Sequence, residues 1–276
     1  MFCGIYRRLT VMRASEVHIK AIVAGGSFHR TAIMLCGILV SLGLMAGRAA
    51  AASDPCRPVR FADSAFVVCT VDLRQYEVRL FLRGPDGDVL GSFDRLKQTP
   101  EGSRLAFAMN AGMYHEDRSP VGLYVENGKE LKAANTRNGP GNFHLKPNGV
   151  FYVKGDRASV LETETYLKRK IKPSYATQSG PMLVIDGRIH AQFSEQSTSL
   201  KIRNGVGTRD ANTAVFAISE EPVTFIAFAR LFRDELGCAN ALFLDGSVSS
   251  LYAPSLERMD VLRPMGPIVG ALRRRS

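Results

Sequence analysis

The chain has 276 residues, 45% of them hydrophobic and 22% charged, an ordinary globular balance that supports one large domain or two small ones. The formal net charge of +10 is concentrated toward the start: residues 1–52 hold six Lys/Arg against one acid, so the remainder carries only +5. That modest charge, with no zinc-finger, RNP or basic-helix pattern, argues against a nucleic-acid partner, and the absence of Trp argues against broad indole platforms for sugar stacking.

Thr31 to Gly47 is an apolar run with His29 and Arg30 before it and Arg48 and Ala49 to Ala52 after it. A basic flank, a short apolar stretch and small residues describe a secretory signal peptide, with cleavage expected after Ala52 and no stable membrane insertion afterwards. The alternative is an uncleaved anchor, for which the run is short. Translation from Met12 or Met34 would shorten the long basic flank. Ser53-Asp54-Pro55 before Cys56 is no lipobox. Export leaves Cys56, Cys69 and Cys238. In an oxidising compartment Cys56 and Cys69, which flank a strand, are expected to pair, and Cys238, in the apolar stretch GCANALFL, to be a buried free thiol.

Residues 53–100 read as an N-terminal strand layer: Val67 to Asp72, Tyr76 to Arg83 with alternating apolar positions, the turn at 84–88, and a return strand Val89 to Phe93. Residues 101–276 read as the main domain. Leu105 to Met109 is a short apolar strand, and Leu123 to Glu126 and Glu130 to Ala133 flank Asn127-Gly128, a strong hairpin signal. Further strands are expected at Gly149 to Lys154, Met182 to Ile185, Thr213 to Ile218, Val223 to Phe228 and Ala241 to Leu244. Helical periodicity is sparse: residues 226–236 stopped by Gly237, and a second stretch around Glu162 to Lys170. The fold class is α+β, strand-rich with few helices.

Four segments rich in Gly and small polar residues follow strands: Asn110-Ala111-Gly112-Met113-Tyr114, Thr177-Gln178-Ser179-Gly180-Pro181, Arg203-Asn204-Gly205-Val206-Gly207, and Asp245-Gly246-Ser247-Val248-Ser249-Ser250. Glycines let backbone N–H groups converge on an anion, though tight turns look the same. Asp245 supplies a carboxylate able to act as nucleophile or base, or simply to cap its own turn. Arg203 can clamp a phosphate oxygen bidentately, or be a surface charge beside Lys201. Asn110 can hold a hydroxyl or phosphate oxygen, or form an Asx-turn. Gln178 and Ser179 offer neutral donors; Ser179 lacks the G-x-S-x-G setting of a hydrolase nucleophile. His115 and Glu116 follow the first segment as a second acid or base, or as a solvated loop. His144, in a loop that can cover a site, is a candidate ligand contact. The His spacings fit no zinc pattern, so no metal or cofactor is expected.

The series NAGMY, QSGPML, RNGVG and ALFLDGSVSSL resembles the phosphodiester glycosidase family, from about Leu105 to Ile268, with ARLFRDELGCANALFLDG as its most specific part. The resemblance is to bacterial periplasmic members, distant relatives of the mammalian uncovering enzyme that removes N-acetylglucosamine from a phosphodiester. Related members carry N-G-G-x-F, R-T-A-x-G and D-G-G-G-S motifs. This chain departs at Ala111, at Asn204-Gly205 and at Ser247-Val248, while Asn110, Gly112, Arg203, Gly207, Asp245, Gly246 and Ser249 align. The resemblance implies a layered sandwich with the site at the strand ends. With the aligned positions, Asp245 and Asn110 are expected to be catalytic and Arg203, Gly112, Gly207, Gly246 and Ser249 to contact substrate; Gln178, Ser179, Gly180, His144, His115 and Glu116 are further expected contacts on the residue readings above. The expected function is an exported hydrolase of a sugar-1-phosphodiester or related envelope or exopolysaccharide glycoside. The alternatives are a hydrolase of ordinary glycosidic bonds, which needs a second carboxyl, and a non-catalytic glycan-binding module. The expected partner is a carbohydrate or glycosyl phosphate.

Overall fold

The computed structural model describes residues 54–260 and 263–275, so the expected signal peptide lies outside the described residues. The described residues are strand-rich, with the strands in three antiparallel sheets. The first sheet has seven strands in the order β1 (Cys56–Phe61), β2 (Ser64–Asp72), β13 (Thr213–Ser219), β12 (Asn204–Thr208), β14 (Asn240–Phe243), β10 (Met182–Ile185) and β11 (Arg188–Ile189). The second has five: β16 (Arg258–Met259), β15 (Leu251–Ala253), β4 (Leu105–Asn110), β17 (Ile268–Arg273) and β3 (Tyr76–Phe81). The third also has five: β6 (Lys129–Lys132), β5 (Tyr124–Glu126), β9 (Tyr175–Ser179), β7 (Gly149–Lys154) and β8 (Arg157–Glu162). Residues 53–100 therefore form no layer of their own. β1 and β2 extend the first sheet through β13, and β3 joins the second through β17.

All three sheets contribute to one core. Phe216 of β13 meets Phe107 of β4 at 5.2 Å and Phe151 of β7 at 5.6 Å, both edge-on, an arrangement that adds a little beyond area burial. The first sheet buries a second set of residues against α3 (Phe225–Arg230) and the π-helical turn Leu231–Glu235 that continues it. Phe66 of β2 stacks on Phe228, and Phe228 meets Phe232 edge-on. The helical periodicity over 226–236 is thus realised at Phe225–Glu235. Thr224 starts the helix by accepting a hydrogen bond from the Ala227 N–H.

That cap overrides the expected strand Val223 to Phe228, of which only Val223 pairs, through a bridge to Lys201. The expected return strand Val89 to Phe93 fails for the same reason: Val89 bridges Arg83, and Ser92 then caps a short α1 (Phe93–Lys97). The second expected helix is α2 (Thr163–Lys168), capped by the Glu162 carboxylate. Asn127-Gly128 and Asp186-Gly187 both adopt positive φ at their two turn positions, as two-residue hairpins require.

Cys56 and Cys69 lie directly opposite each other in the β1–β2 register and form a disulfide. Closing a loop with a sequence separation of 13 stabilises by about 3 kcal/mol in the chain-entropy model. Cys238 is a buried free thiol, its pKa pushed up to about 12 by burial. Among the described residues no helix is long and apolar enough to cross a membrane.

Candidate functional site

Asp245 follows β14 and leads through a short 3-10 turn toward β15, so the segment carrying it passes from the first sheet to the second. Its carboxylate is 8% exposed and accepts a hydrogen bond from the Ser247 N–H at 3.0 Å, which is the turn-capping role. The same side chain lines a cavity of about 580 Å³ together with Met113, Tyr114, Lys201, Arg203 and Phe243. Burial raises the Asp245 pKa above the ordinary carboxylate value, opposed by the hydrogen bonds from Ser247.

Arg203 is no surface charge, being only 1% exposed. Its Nε donates to the Val223 carbonyl and one terminal nitrogen to the Ser199 carbonyl, both at 2.8 Å. Its guanidinium lies 3.6 Å from the Phe225 ring centroid and 5.5 Å from that of Phe243. Behind Phe225 the stack continues through Phe193 at 5.0 Å to His190 at 4.8 Å from Phe193. The His190 ring accepts from the Gln192 N–H and sits against the Lys146 carbonyl, and burial lowers its pKa, so it is held neutral. Arg203 forms no ion pair with a carboxylate among the described residues. Burial lowers its pKa to about 10, so it remains cationic at neutral pH. A buried cation without a counter-charge is costly, and an anionic ligand would offset that cost.

Asn110 does not line the cavity. Its Nδ2 donates to the Asp245 carbonyl at 2.7 Å, and its Oδ1 accepts from the Ser250 N–H at 2.9 Å and from Asn204 Nδ2 at 3.0 Å. The Ser249 hydroxyl bonds Asn204 Oδ1 at 3.1 Å and the Ile202 carbonyl at 3.2 Å. Asn110, Asn204 and Ser249 therefore form a buried lock around the Asp245 turn. Asn110, expected to be catalytic, and Ser249, expected to contact substrate, both engage in fixing it.

The second and third Gly-rich segments are largely strands rather than turns. Gln178, in β9, accepts from the N–H groups of Leu123 and Asn135 and donates to the Asn135 carbonyl and the Thr163 hydroxyl, leaving nothing for a ligand. Ser179 is fully buried, and its Oγ is without a partner among the described residues; nothing in the structure explains it. Gly180 packs against Asn148 and Phe143, and Gly112 against Thr177 and Gln178. Gly207 lies within β12, where a Cβ would stand 2.8 Å from Cys238 Sγ and 2.9 Å from Phe232, so its role is to let the helical layer approach the sheet. Gly246 does line the cavity.

His144 is half-buried, with Nδ1 3.0 Å from the Arg137 carbonyl; its neighbour Asn142, not His144 itself, reaches the cavity. His115 and Glu116 are exposed and line a second depression of about 350 Å³ with Tyr114, Arg118, Asp245 and Arg263. Tyr114 and Asp245 belong to both hollows and form the ridge between them. The Tyr114 hydroxyl donates to the Pro264 carbonyl at 3.0 Å. Its ring fits because position 266 is Gly; a Cβ there would lie 2.4 Å from the ring.

Sequence reasoning missed Lys201, Tyr114, Phe225, Phe243, Arg118 and Arg263. The clearest available signal was the apolar Val223 to Phe228 stretch, whose Phe225 faces Arg203. Among the described residues no group of three or more His, Cys, Asp or Glu converges as a metal site.

The strand-rich α+β domain thus sets a buried carboxylate and a buried arginine, without an ion pair among the described residues, on one cavity. Residues 103–266 match the phosphodiester glycosidase family model, and the chain belongs to that family. It is 34% identical over 221 residues to the uncharacterized protein YigE of Escherichia coli K12, covering 80% of this chain and 84% of that one. The catalytic domain of zebrafish N-acetylglucosamine-1-phosphodiester alpha-N-acetylglucosaminidase, auto-inhibited by its pro-peptide, is similar in fold. Its TM-score is 0.55 at 15% identity, over 80% of this chain and 82% of that one. A Burkholderia pseudomallei protein whose name assigns it to export is also similar, with a TM-score of 0.53 at 12% identity over 76% of this chain and 74% of that one.

Proposed function

We propose that the protein is an exported phosphodiester glycosidase that hydrolyses a sugar-1-phosphodiester or a related envelope glycoside at the Asp245 cavity. The observation that carries this reading is the cavity shared by Asp245 and Arg203, the latter buried without a carboxylate partner among the described residues. Breaking the C1–O bond builds oxocarbenium character on the sugar, which the Asp245 carboxylate stabilises. The departing group is a phosphate monoester, which needs little protonation, so one carboxylate suffices where ordinary glycosidases use two. Water supplies the hydroxyl at C1, and its proton leaves with the phosphate side. Arg203 and Lys201 hold the anionic oxygens, Arg203 with the guanidinium nitrogen that its two carbonyl contacts leave over. The cavity stands at the end of β14, which supports a site at strand ends. The disulfide and the signal-peptide-like start support a location outside the cytoplasm.

The test is hydrolysis of a nitrophenyl sugar phosphodiester series. Asp245→Asn is expected to lower kcat about a hundredfold or more, within the range of general acid–base contributions. An Asp245→Asn variant that turns over the best substrate at the wild-type rate refutes the assignment. Folded wild-type protein that cleaves no member of the series refutes the enzymatic reading in favour of a glycan-binding module.

A further inference from the structure

The second hollow beside Asp245 is not used by the reading above. It lies across the Tyr114 ridge from Arg203 and contains two guanidinium groups, Arg118 and Arg263. Neither forms an ion pair among the described residues. Arg118 lies over the Tyr114 ring, 5.3 Å from its centroid, and both arginines act electrostatically on the Tyr114 hydroxyl.

The turn that presents Arg118 is built with care. Tyr114 bridges Pro120, the His115 N–H bonds the Ser119 carbonyl, and the Arg118 N–H bonds the His115 carbonyl, each of the last two at 2.8 Å. Asp117 Oδ1 accepts from both the N–H and the hydroxyl of Ser119, which pins the loop. In this hairpin the residue after the type I turn takes left-handed backbone, a position that glycine favours. Here it is Arg118, at φ 69°. A long charged side chain therefore stands at a turn position that glycine could fill without cost. The hollow also holds Glu116, which is exposed, so its charge is solvated and weakly felt at the guanidiniums.

We propose that Arg118 and Arg263 form a second anion subsite, so that the group leaving from the sugar carries a negative charge beyond the scissile phosphodiester. The substrate class is then a glycosyl phosphodiester with an anionic aglycone: a further phosphate or a carboxylate placed next to the bond that is cut. This rests on the reading of Asp245 as the centre of hydrolysis, because Asp245 lines both hollows and an anion held in the second stands beside the reacting centre. One pair, Lys201 and Arg203, faces the first cavity, and the other faces the second.

The experiment compares two substrates of the same sugar-1-phosphodiester, one with a methyl aglycone and one with a glycerol phosphate aglycone, on the full chain. The variant is Arg118→Gly, which suits the left-handed turn and is expected to leave Tm no lower than wild type. Wild type is expected to favour the charged aglycone at least tenfold in kcat/KM, and Arg118→Gly to reduce that ratio several-fold. A purely structural role for Arg118 would move both substrates together and leave the ratio intact. Equal kcat/KM for the two substrates in wild type, or an unchanged ratio in the variant, overturns the subsite while leaving the hydrolytic reading in place. Should wild type cleave neither, binding of glycerol 3-phosphate by calorimetry decides separately. Binding that weakens at least fivefold in Arg118→Gly supports the subsite, and binding that is absent or unaltered overturns it.

Discussion

Replacing Asn110 by Ala separates a locking role from a chemical one. The substitution removes three hydrogen bonds: from Nδ2 to the Asp245 carbonyl, and to Oδ1 from the Ser250 N–H and from Asn204 Nδ2. Asn204 Nδ2 keeps the Asn110 backbone carbonyl as a partner at 3.0 Å. The Asp245 carbonyl and the Ser250 N–H lose the bonds that satisfied them, in a segment where Asn110 and Ser250 are each only 1% exposed. Two orphaned buried backbone groups cost roughly 1–3 kcal/mol each, so a loss of about 4 kcal/mol is expected. With a urea slope of about 2–3 kcal/mol/M, the unfolding midpoint falls by about 1.3–2 M. Urea titration followed by circular dichroism measures this. Turnover should fall too, because the Asp245 turn is no longer held. A midpoint within about 0.3 M of wild type combined with lost turnover would show that the amide acts on substrate, and would refute the lock.

Asp245→Asn also carries a stability signature. Burial raises the pKa of Asp245 in the folded state, so ionised Asp245 costs stability above that pKa, and the cost disappears as pH falls through it toward 3.8. Calorimetry should show the Asn variant more stable than wild type at pH 7, with the gap closing on acidification; a gap independent of pH contradicts the burial argument. Gly207→Ala should cost about 1–3 kcal/mol by crowding Cys238 and Phe232, and lower Tm by about 5 °C. Its turnover per folded molecule should match wild type, and a selective loss of turnover would return Gly207 to the substrate.

The legible part of the fold was the part encoded over short range. Asn127-Gly128, Asp186-Gly187 and the alternating β3 announce themselves through turn chemistry and a period of two. The errors arose where one residue type serves opposite ends. Gly205 and Gly207 were read as an anion-binding turn, yet they lie two apart in a strand and open one face of it to Phe228 and Phe232. That spacing is itself the signal for a groove beneath a helix. Asp245, Arg203 and Gly246, which chemistry and motif both single out, are brought by the fold to one cavity. Asn110, Gln178 and Ser249 spend polar atoms on the backbone, and a polar side chain that grips a ligand and one that grips the backbone look alike in a string of letters. Arg118 and Arg263 were out of reach, since 145 positions separate them and only the fold brings both to one hollow.

The Asp245 turn is also the passage from β14 in one sheet to β15 in another, cross-stitched by Asn110 and by the Asp245 N–H to the Ala111 carbonyl. This arrangement divides how freely different parts of the chain can drift over evolution. Along the seam, a substitution changes architecture and chemistry in one step, so tolerated changes there must arrive in compensating pairs. The stretches that precede the cavity residues Asn142 and Lys201 in sequence, residues 137–141 and 194–198, make no hydrogen bond to that seam. New substrate preferences are therefore expected to accumulate in those loops, while the seam passes through lineages nearly untouched.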